Sequence, residues 1–380
     1  MKKILHVLPS LSCGGTEAFI MNYYRELQAS EICFDFAVFS LERAVHKEEI
    51  IQNGGRVIVL GNPTVKNMLS FLRCAAKAMV ENGPYDAIHC HANNANAWIL
   101  MAAKFAGIPI RVSHLHSSKH REDKIAKKIY MGLQVILLKQ LATQHMACSL
   151  KVGESYFGER YYSLHGMTFP NAIDVQRFQM EVDCDTCMLE ELEIPEQAHP
   201  IVGYMARFDY NKNPCFAVEV FSRLLSHFPE TILIMGGPDS GLLEKAQRTV
   251  SELGIEKKVR FIGPRSDVEK CLQAFDIFLS PTIDEGFGIS LLEAQAAGCL
   301  CVASTGTPDC VDVGTGQIMF IPLELGAGYW ADTIAAGWRR YKAPSSKAIL
   351  ESFQECGYDI TQSAKKMLSI YCGNSLMENR

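Results

Sequence analysis

The sequence predicts an α/β protein built from two doubly wound parallel sheets, and three observations carry that prediction. Its 380 residues exceed one ordinary hydrophobic core and suit about two domains. Short apolar runs that read as buried strands alternate with amphipathic, helix-like stretches, once from Lys3 to Phe157 and again from Ile201 to Ala303. Between the two series, residues 175–199 are acidic and loop-rich, with Pro195 and Pro200 at their end, and read as a linker. At 48% hydrophobic and 21% charged, the chain is neither disordered, collagen-like nor coiled-coil.

The first series opens with Lys3–Pro9 as a buried strand and Ser10–Gly15 as a small-residue loop. Glu17–Gln28 then carries apolar residues at 18, 19, 20, 23, 24 and 27, a helical stripe. Strand, glycine loop and helix begin a βαβ unit. Phe34–Phe39 and Val57–Leu60 read as strands, Met68–Glu81 as a helix, Ala87–Cys90 as a strand, Ala95–Phe105 as a helix and Ile110–His114 as a strand. A long amphipathic stretch, Lys119–Leu141, leads to a strand at Gln144–Ser149, a helix at Leu150–Phe157 and a turn at Thr168–Asp174. In the second series Ile201–Met205, Thr231–Met235, Val259–Ile262, Ile277–Leu279 and Cys299–Ala303 read as strands. Pro214–Phe228, Gly241–Leu253, Val268–Ala274 and Ser290–Ala297 are the helices between them. Ala331–Tyr371 reads as helices with no strand partner. The expected boundaries are 1–175, 176–345 and a helical segment 346–380 that packs back on the first domain.

Composition narrows the function. The net charge of −5 divides unevenly: residues 1–170 hold 19 Lys and Arg against 13 Asp and Glu, the remainder 18 against 29. So dilute a basic half does not mark a nucleic-acid binder. No run reaches the roughly 18 apolar residues of a membrane-spanning helix. The apolar stretch between Lys3 and Pro9 is too short for a secretory signal. The 14 cysteines are scattered, mostly within hydrophobic stretches, as expected in a reducing cytoplasm. Cys184 and Cys187 have no second pair nearby and read as incidental thiols.

Ligands of parallel sheets collect off the carboxyl ends of strands, so four loops matter. In Pro281–Ala294 a strand runs into a loop with Gly286 and Gly288 before a helix begins near Ser290. Unpaired amides at such a helix start attract an anion, Glu285 stands at the loop mouth, and Glu293 can accept a ribose diol. Glycine turns and acidic first turns also account for this pattern. Arg207 and Lys212, in the loop before Pro214, can both reach a diphosphate, although solvated surface cations look the same. Gly14 and Gly15 follow the first strand without dinucleotide-fingerprint spacing, and Ser12 or Thr16 is a candidate helix cap. His114 and His116 share one face of a strand end. With no third metal ligand evident at suitable spacing, they read as hydrogen-bonding groups aimed at a polar ligand.

Taken in order, Gly14-Gly-Thr-Glu17, a histidine after a strand of the first domain, Pro170–Asp174 (PNAID), Arg207-x4-Lys212 and Glu285-x7-Glu293 resemble the retaining nucleotide-sugar glycosyltransferases of family 4. The likeness spans nearly the whole chain, including Ala294–Gly298 and Val302–Thr305. It implies the GT-B fold, two Rossmann-like domains facing across a cleft, the second holding the donor and the first the acceptor. It also implies that Arg207 and Lys212 bind the diphosphate, with Gly14, Gly15, Gly286, Phe287, Gly288, Ser290 and Leu291 around it. Glu293 takes the ribose, Glu285 faces the transferred sugar, and His116, or else His114, lies near the reacting groups. Residues Arg260–Gly263 frame the base. No metal is implied, because cations and helix amides meet the charge on the leaving phosphate. Asp183-Cys-Asp185 matches a metal-binding pattern in letters only, inside the linker. Attack on the same face, with the leaving phosphate taking the acceptor's proton, needs no protein base. Ala172, Ala206 and Asn213 stand where glycines are common, and Thr307–Cys310 replaces a glycine-rich loop that normally contains a glutamate.

The sequence therefore reads as a retaining hexosyltransferase that uses a nucleoside-diphosphate sugar, UDP-linked, as substrate. Its acceptor is a glycan or lipid-linked glycan in surface or exopolysaccharide synthesis. The stretch 119–141, basic first and apolar later, suits peripheral contact with the inner face of the cytoplasmic membrane; a core helix with a solvated end has the same pattern. The rivals are an epimerase or phosphorylase of the same fold and a non-catalytic nucleotide-sugar-binding subunit.

Overall fold

The computed structural model describes residues 1–373 apart from 13, 29, 43, 65, 118–124 and 181–184; at 94, 125–128 and 185–187 it describes the backbone alone. The basic start of the 119–141 stretch, the Cys184/Cys187 pair and the Asp183/Asp185 pair lie outside the described side chains.

The expected alternation folds into two all-parallel sheets. The first contains β1 (Lys2–Leu8), β2 (Ile32–Val38), β3 (Val57–Val59), β4 (Ala87–Cys90), β5 (Ile110–Leu115), β6 (Gln144–Ala147) and β7 (Gly166–Thr168), in the order β3-β2-β1-β4-β5-β6-β7. The second contains β8 (Ile201–Met205), β9 (Ile232–Gly236), β10 (Val259–Gly263), β11 (Ile277–Ser280), β12 (Leu300–Ser304) and β13 (Ile318–Ile321), in the order β10-β9-β8-β11-β12-β13. Each sheet winds outward from its first strand in one direction and then in the other, the doubly wound arrangement.

Strands β8, β9 and β12 are buried along their whole length, as two-sided burial of a parallel sheet requires. Two edge strands escape the sequence reading. β7 is three residues long, and in β13 only Ile321 is fully buried, so neither leaves a strong apolar run. The helix expected from Ala331 begins at Gly326, and its Trp330 is fully buried with Nε1–H donating to the Pro322 carbonyl at 3.0 Å.

Contacts divide the chain into Met1–Asn171 with Ile360–Arg380, and Ala172–Asp359. These limits differ from 175 and 345 for local reasons. Ile173 bridges to Asp359, its amide donating to the Tyr358 carbonyl at 2.9 Å, so the chain already belongs to the second unit. The tail is not one segment either. Helix Ser346–Cys356 stays with the second unit, and helix Ile360–Tyr371 joins the first, where the Lys2 ammonium donates to the Tyr371 carbonyl at 3.3 Å.

Gly203, at the centre of β8, faces the Phe275 ring so closely that a β-carbon would overlap it. Gly203→Ala is expected to cost about 1–3 kcal/mol through this overlap. Urea unfolding checks it: an unchanged midpoint would mean the ring moves aside freely.

Candidate functional site

In the second unit, strand order reverses between β8 and β11, which are hydrogen-bonded neighbours. The loop after β8 carries Arg207 and Lys212, and the loop after β11 carries Glu285. The two expected site loops thus leave adjacent strand ends at the reversal, where ligands of such sheets collect. Asn211 ties them together. Its side chain donates to the Asp284 carbonyl at 2.8 Å and accepts from the Asp284 amide at 3.0 Å, and its own carbonyl accepts from the Ile283 amide at 2.7 Å. Across this tie the Lys212 ammonium pairs with Glu285 Oε2, both side chains four-fifths buried. Arg207, 54% exposed, pairs with Asp209 of its own loop at 3.0 Å. Asn213 adopts φ 54°, which explains why glycine is common there; asparagine is the other residue that tolerates this region. Pro214 opens the following helix, as expected.

Gly288, at φ 99°, is the N-cap of the helix Ile289–Ala296, with no side-chain cap. A larger residue would be strained there. Ile289 and Ser290, in the helix's first turn, have no helical carbonyl behind them to accept their amides. Leu291 differs from expectation: its amide already donates to the Gly288 carbonyl at 3.0 Å, and its side chain is fully buried in the core. Phe287 is also buried, its ring edge-on to Tyr358 at 5.5 Å, so it anchors the loop. One turn into the helix, burial raises the Glu293 carboxyl to about 7; Arg177 opposes the shift and Glu269 adds to it. Arg177 in turn pairs with Glu269 at 2.8 Å. The Thr282 and Ser304 ends of β11 and β12 are joined by the Ser304 hydroxyl, which donates to the Thr282 carbonyl. Arg260 does not serve the place proposed for the base. Its guanidinium donates to the carbonyls of Leu192, Lys257 and Val259, at the amino end of β10.

In the first unit, Gly14 is the N-cap of helix Gly15–Leu27, without a side-chain cap. Ser12 does not cap it. The Ser10 and Ser12 hydroxyls instead donate to Glu17 Oε1, each at 3.2 Å, and a β-carbon on Gly14 would crowd that carboxylate. The glycine loop is therefore closed from inside by Glu17.

His114 and His116 do have further imidazole neighbours. His6 on β1 pairs in register with His89 on β4, His91 follows β4, and all five rings share one face of the sheet. His6, His89 and His91 form one set of ring nitrogens close enough to hold a metal ion; His91, His114 and His116 form another. Asn93 and Asn96 hold the loop beneath them. Asn93 Oδ1 accepts from the His116 amide at 3.1 Å, and buried Asn96 donates to Ser113 Oγ at 3.1 Å. Phe19 packs edge-on against His114 at 4.9 Å. Burial lowers His6 and His116 to about 3, and burial with neighbouring imidazoles lowers His89, His91 and His114 well below the usual value. The sequence signal was present: His89-Cys-His91 repeats the His-x-His spacing of His114–His116 on the adjacent strand. His114 lies inside the sheet with no exposure, whereas His116 is half-buried beyond the strand end.

Two all-parallel, doubly wound domains are the architecture of the GT-B class of sugar-transferring proteins. The chain belongs to the glycosyltransferases of family 4. The family described as Glycosyltransferase Family 4 matches residues 13–177, and Glycosyl transferases group 1 matches residues 190–315. A putative glycosyltransferase, EpsF, of Bacillus subtilis is 30% identical over 97% of this chain and 96% of its own length. An Escherichia coli UDP-Gal:alpha-D-GlcNAc-diphosphoundecaprenol alpha-1,3-galactosyltransferase is 22% identical over 63% of this chain and 62% of its own. Among solved structures, Anabaena Alr3699/HepE in complex with UDP and glucose matches 98% of this chain and 100% of its own, with TM-score 0.82 and 18% identity.

The histidine face sets a pH dependence. Each ring binds its proton more weakly folded than unfolded, so its contribution to stability is present above pH 6.5 and is lost on acidification. Each ring adds up to about 1.4 kcal/mol per pH unit to that slope. Glu293 has the opposite sign: its contribution is full below pH 4.5 and lost as pH rises through about 7. Urea unfolding of the first domain should therefore weaken steeply between pH 7.5 and 5.5; an unchanged midpoint would mean the rings are already charged in the fold.

Proposed function

We propose that this chain moves one hexosyl group, with retention of configuration, from a UDP-linked sugar to a glycan or lipid-linked glycan acceptor during surface or exopolysaccharide synthesis. The observation that carries this reading is the Lys212–Glu285 pair across the β8/β11 reversal, with Glu293 on the helix behind it. A departing diphosphate concentrates negative charge. Lys212 exchanges its carboxylate partner for a phosphate oxygen, which frees Glu285 to face the sugar, while exposed Arg207 and the Ile289 and Ser290 amides take the remaining charge. Glu293 accepts the ribose hydroxyls. His116 hydrogen-bonds the transferred sugar or the acceptor. The phosphate oxygen takes the acceptor's proton, so no protein base and no metal is required. The Escherichia coli relative's UDP-galactose donor and diphosphoundecaprenol acceptor, and the UDP bound in the Anabaena structure, support the donor and acceptor classes.

A panel of nucleotide sugars tests the donor site by thermal stabilisation. One UDP-sugar should stabilise the wild type, by about 2.7 kcal/mol at a hundredfold excess over Kd, and leave Lys212→Ala and Glu293→Ala unmoved. Equal stabilisation of all three would place the site elsewhere, and an inverted anomeric centre in the product would overturn retention.

A lipid-linked acceptor calls for contact with the membrane surface. Among the described residues no helix is long and apolar enough to cross a membrane. In helix Ile125–Leu141, however, Ile129, Leu133 and Ile136 are 68%, 47% and 56% exposed at helical spacing, just after the basic stretch. The protein should float with anionic liposomes, and serine at these three positions should abolish flotation. Unchanged flotation would remove this helix from the membrane contact and leave the donor chemistry standing.

A further inference from the structure

The five imidazoles of the first domain are joined into a single chain through the last helix. His116 Nε2 meets His91 Nδ1 at 2.9 Å, His91 Nε2 meets His6 Nδ1 at 3.1 Å, and His6 Nε2 meets the Tyr371 hydroxyl at 3.3 Å. The same hydroxyl meets His89 Nδ1 at 2.7 Å, and His89 Nε2 meets His114 Nδ1 at 3.1 Å. His6, His89 and His91 each use both ring nitrogens. The pairs His6–His91 and His89–His114 are nearly parallel, at 10° and 13°. All five contacts lie at hydrogen-bonding distance.

A neutral imidazole has one N–H and one lone pair, and a phenol donates once. A chain of five bonds through these groups therefore has two proton orders, and choosing the tautomer of one ring chooses all of them. Burial keeps the rings neutral and the Tyr371 phenol protonated. No carboxylate among the described residues bonds to any of them, so the usual means of fixing a histidine tautomer is replaced here. In one order every ring carries its proton on Nε2 and the spare N–H is that of His114, buried with no hydrogen-bond partner; in the other every ring carries it on Nδ1 and the spare N–H is that of His116, beyond the strand end.

We propose that His6, His89, His91, His114, His116 and Tyr371 form one proton-ordered relay in which the tautomer of His116 is set together with those of the other four rings, so that a ligand hydroxyl meeting His116 Nδ1 reads the order of the whole chain. Tyr371 is the positioning residue at its centre. That the hydroxyl belongs to the transferred sugar or acceptor rests on the function proposed above; the proton order does not.

The test is nitrogen NMR of the full chain labelled in its histidine rings, with His116 assigned by loss of its signals in His116→Gln. At pH 7.5 the ligand-free wild type should show His116 in one tautomer alone, the same one as the other four rings of the chain. Tyr371→Phe should average His116 and His91 between both forms, while the folded protein still binds the UDP-sugar and kcat falls at least roughly tenfold at unchanged donor KM. His6→Asn cuts the chain on the other side of Tyr371 and should scramble His116 in the same way if Tyr371→Phe does not fold. Wild-type rings of mixed tautomer, or a His116 tautomer indifferent to both substitutions, overturns the relay. A relay that reads as expected in a protein that transfers no sugar would overturn the function and leave the relay in place.

Discussion

The candidate site and the imidazole stack both depend on the reversal of strand order in a parallel sheet. The neighbours β1 and β4, and again β8 and β11, send their chains into helices that leave in different directions, so the loops between them part. A parted pair of loops offers backbone amides and side chains without a packed element above them. In the second domain that opening receives Lys212, Glu285 and the start of the helix at Ile289. In the first, it receives a stack of imidazoles where an ordinary sheet would continue with aliphatic side chains.

Both openings are braced by asparagine rather than by charge. Asn211 matches the backbone donor and acceptor of a single residue, Asp284, and Asn93 and Asn96 likewise brace backbone under the histidines. A neutral amide can hold a loop in place without competing for an anion. The charged residues are then left with partners they can exchange. Lys212 and Glu285 are each largely buried, so neither is fully solvated when separated, and under the proposed function a phosphate arriving at Lys212 would replace an existing interaction rather than strip water from a bare cation.

The fold was legible because parallel strands are buried on both faces and write themselves as uninterrupted apolar runs; β8, β9, β11 and β12 all stand where those runs lie. The strands that were missed, β7 and β13, are sheet edges with little to bury. Of the candidate site, the cations and glutamates could be placed at strand ends because their spacing relative to a strand end is local. Asn211 could not, because its meaning lies in a partner seventy-three positions away. The imidazole stack was half legible. His114 and His116 announced a face, and His89 and His91 repeated it, but only strand order places His6 beside them. Tyr371, brought in by a helix that follows an entire second domain, had no signal at all.

That last helix has a consequence for how the protein comes into being. The first domain is begun by β1 and finished by Ile360–Tyr371, with residues 172–359 made in between. At ordinary rates of translation those residues occupy the ribosome for roughly 10–40 s. Through that interval the nascent first domain has its sheet and its histidines but not the phenol that links His6 to His89, and the face that helix Ile360–Tyr371 will cover is still open. The domain that emerges first is thus the one that matures last.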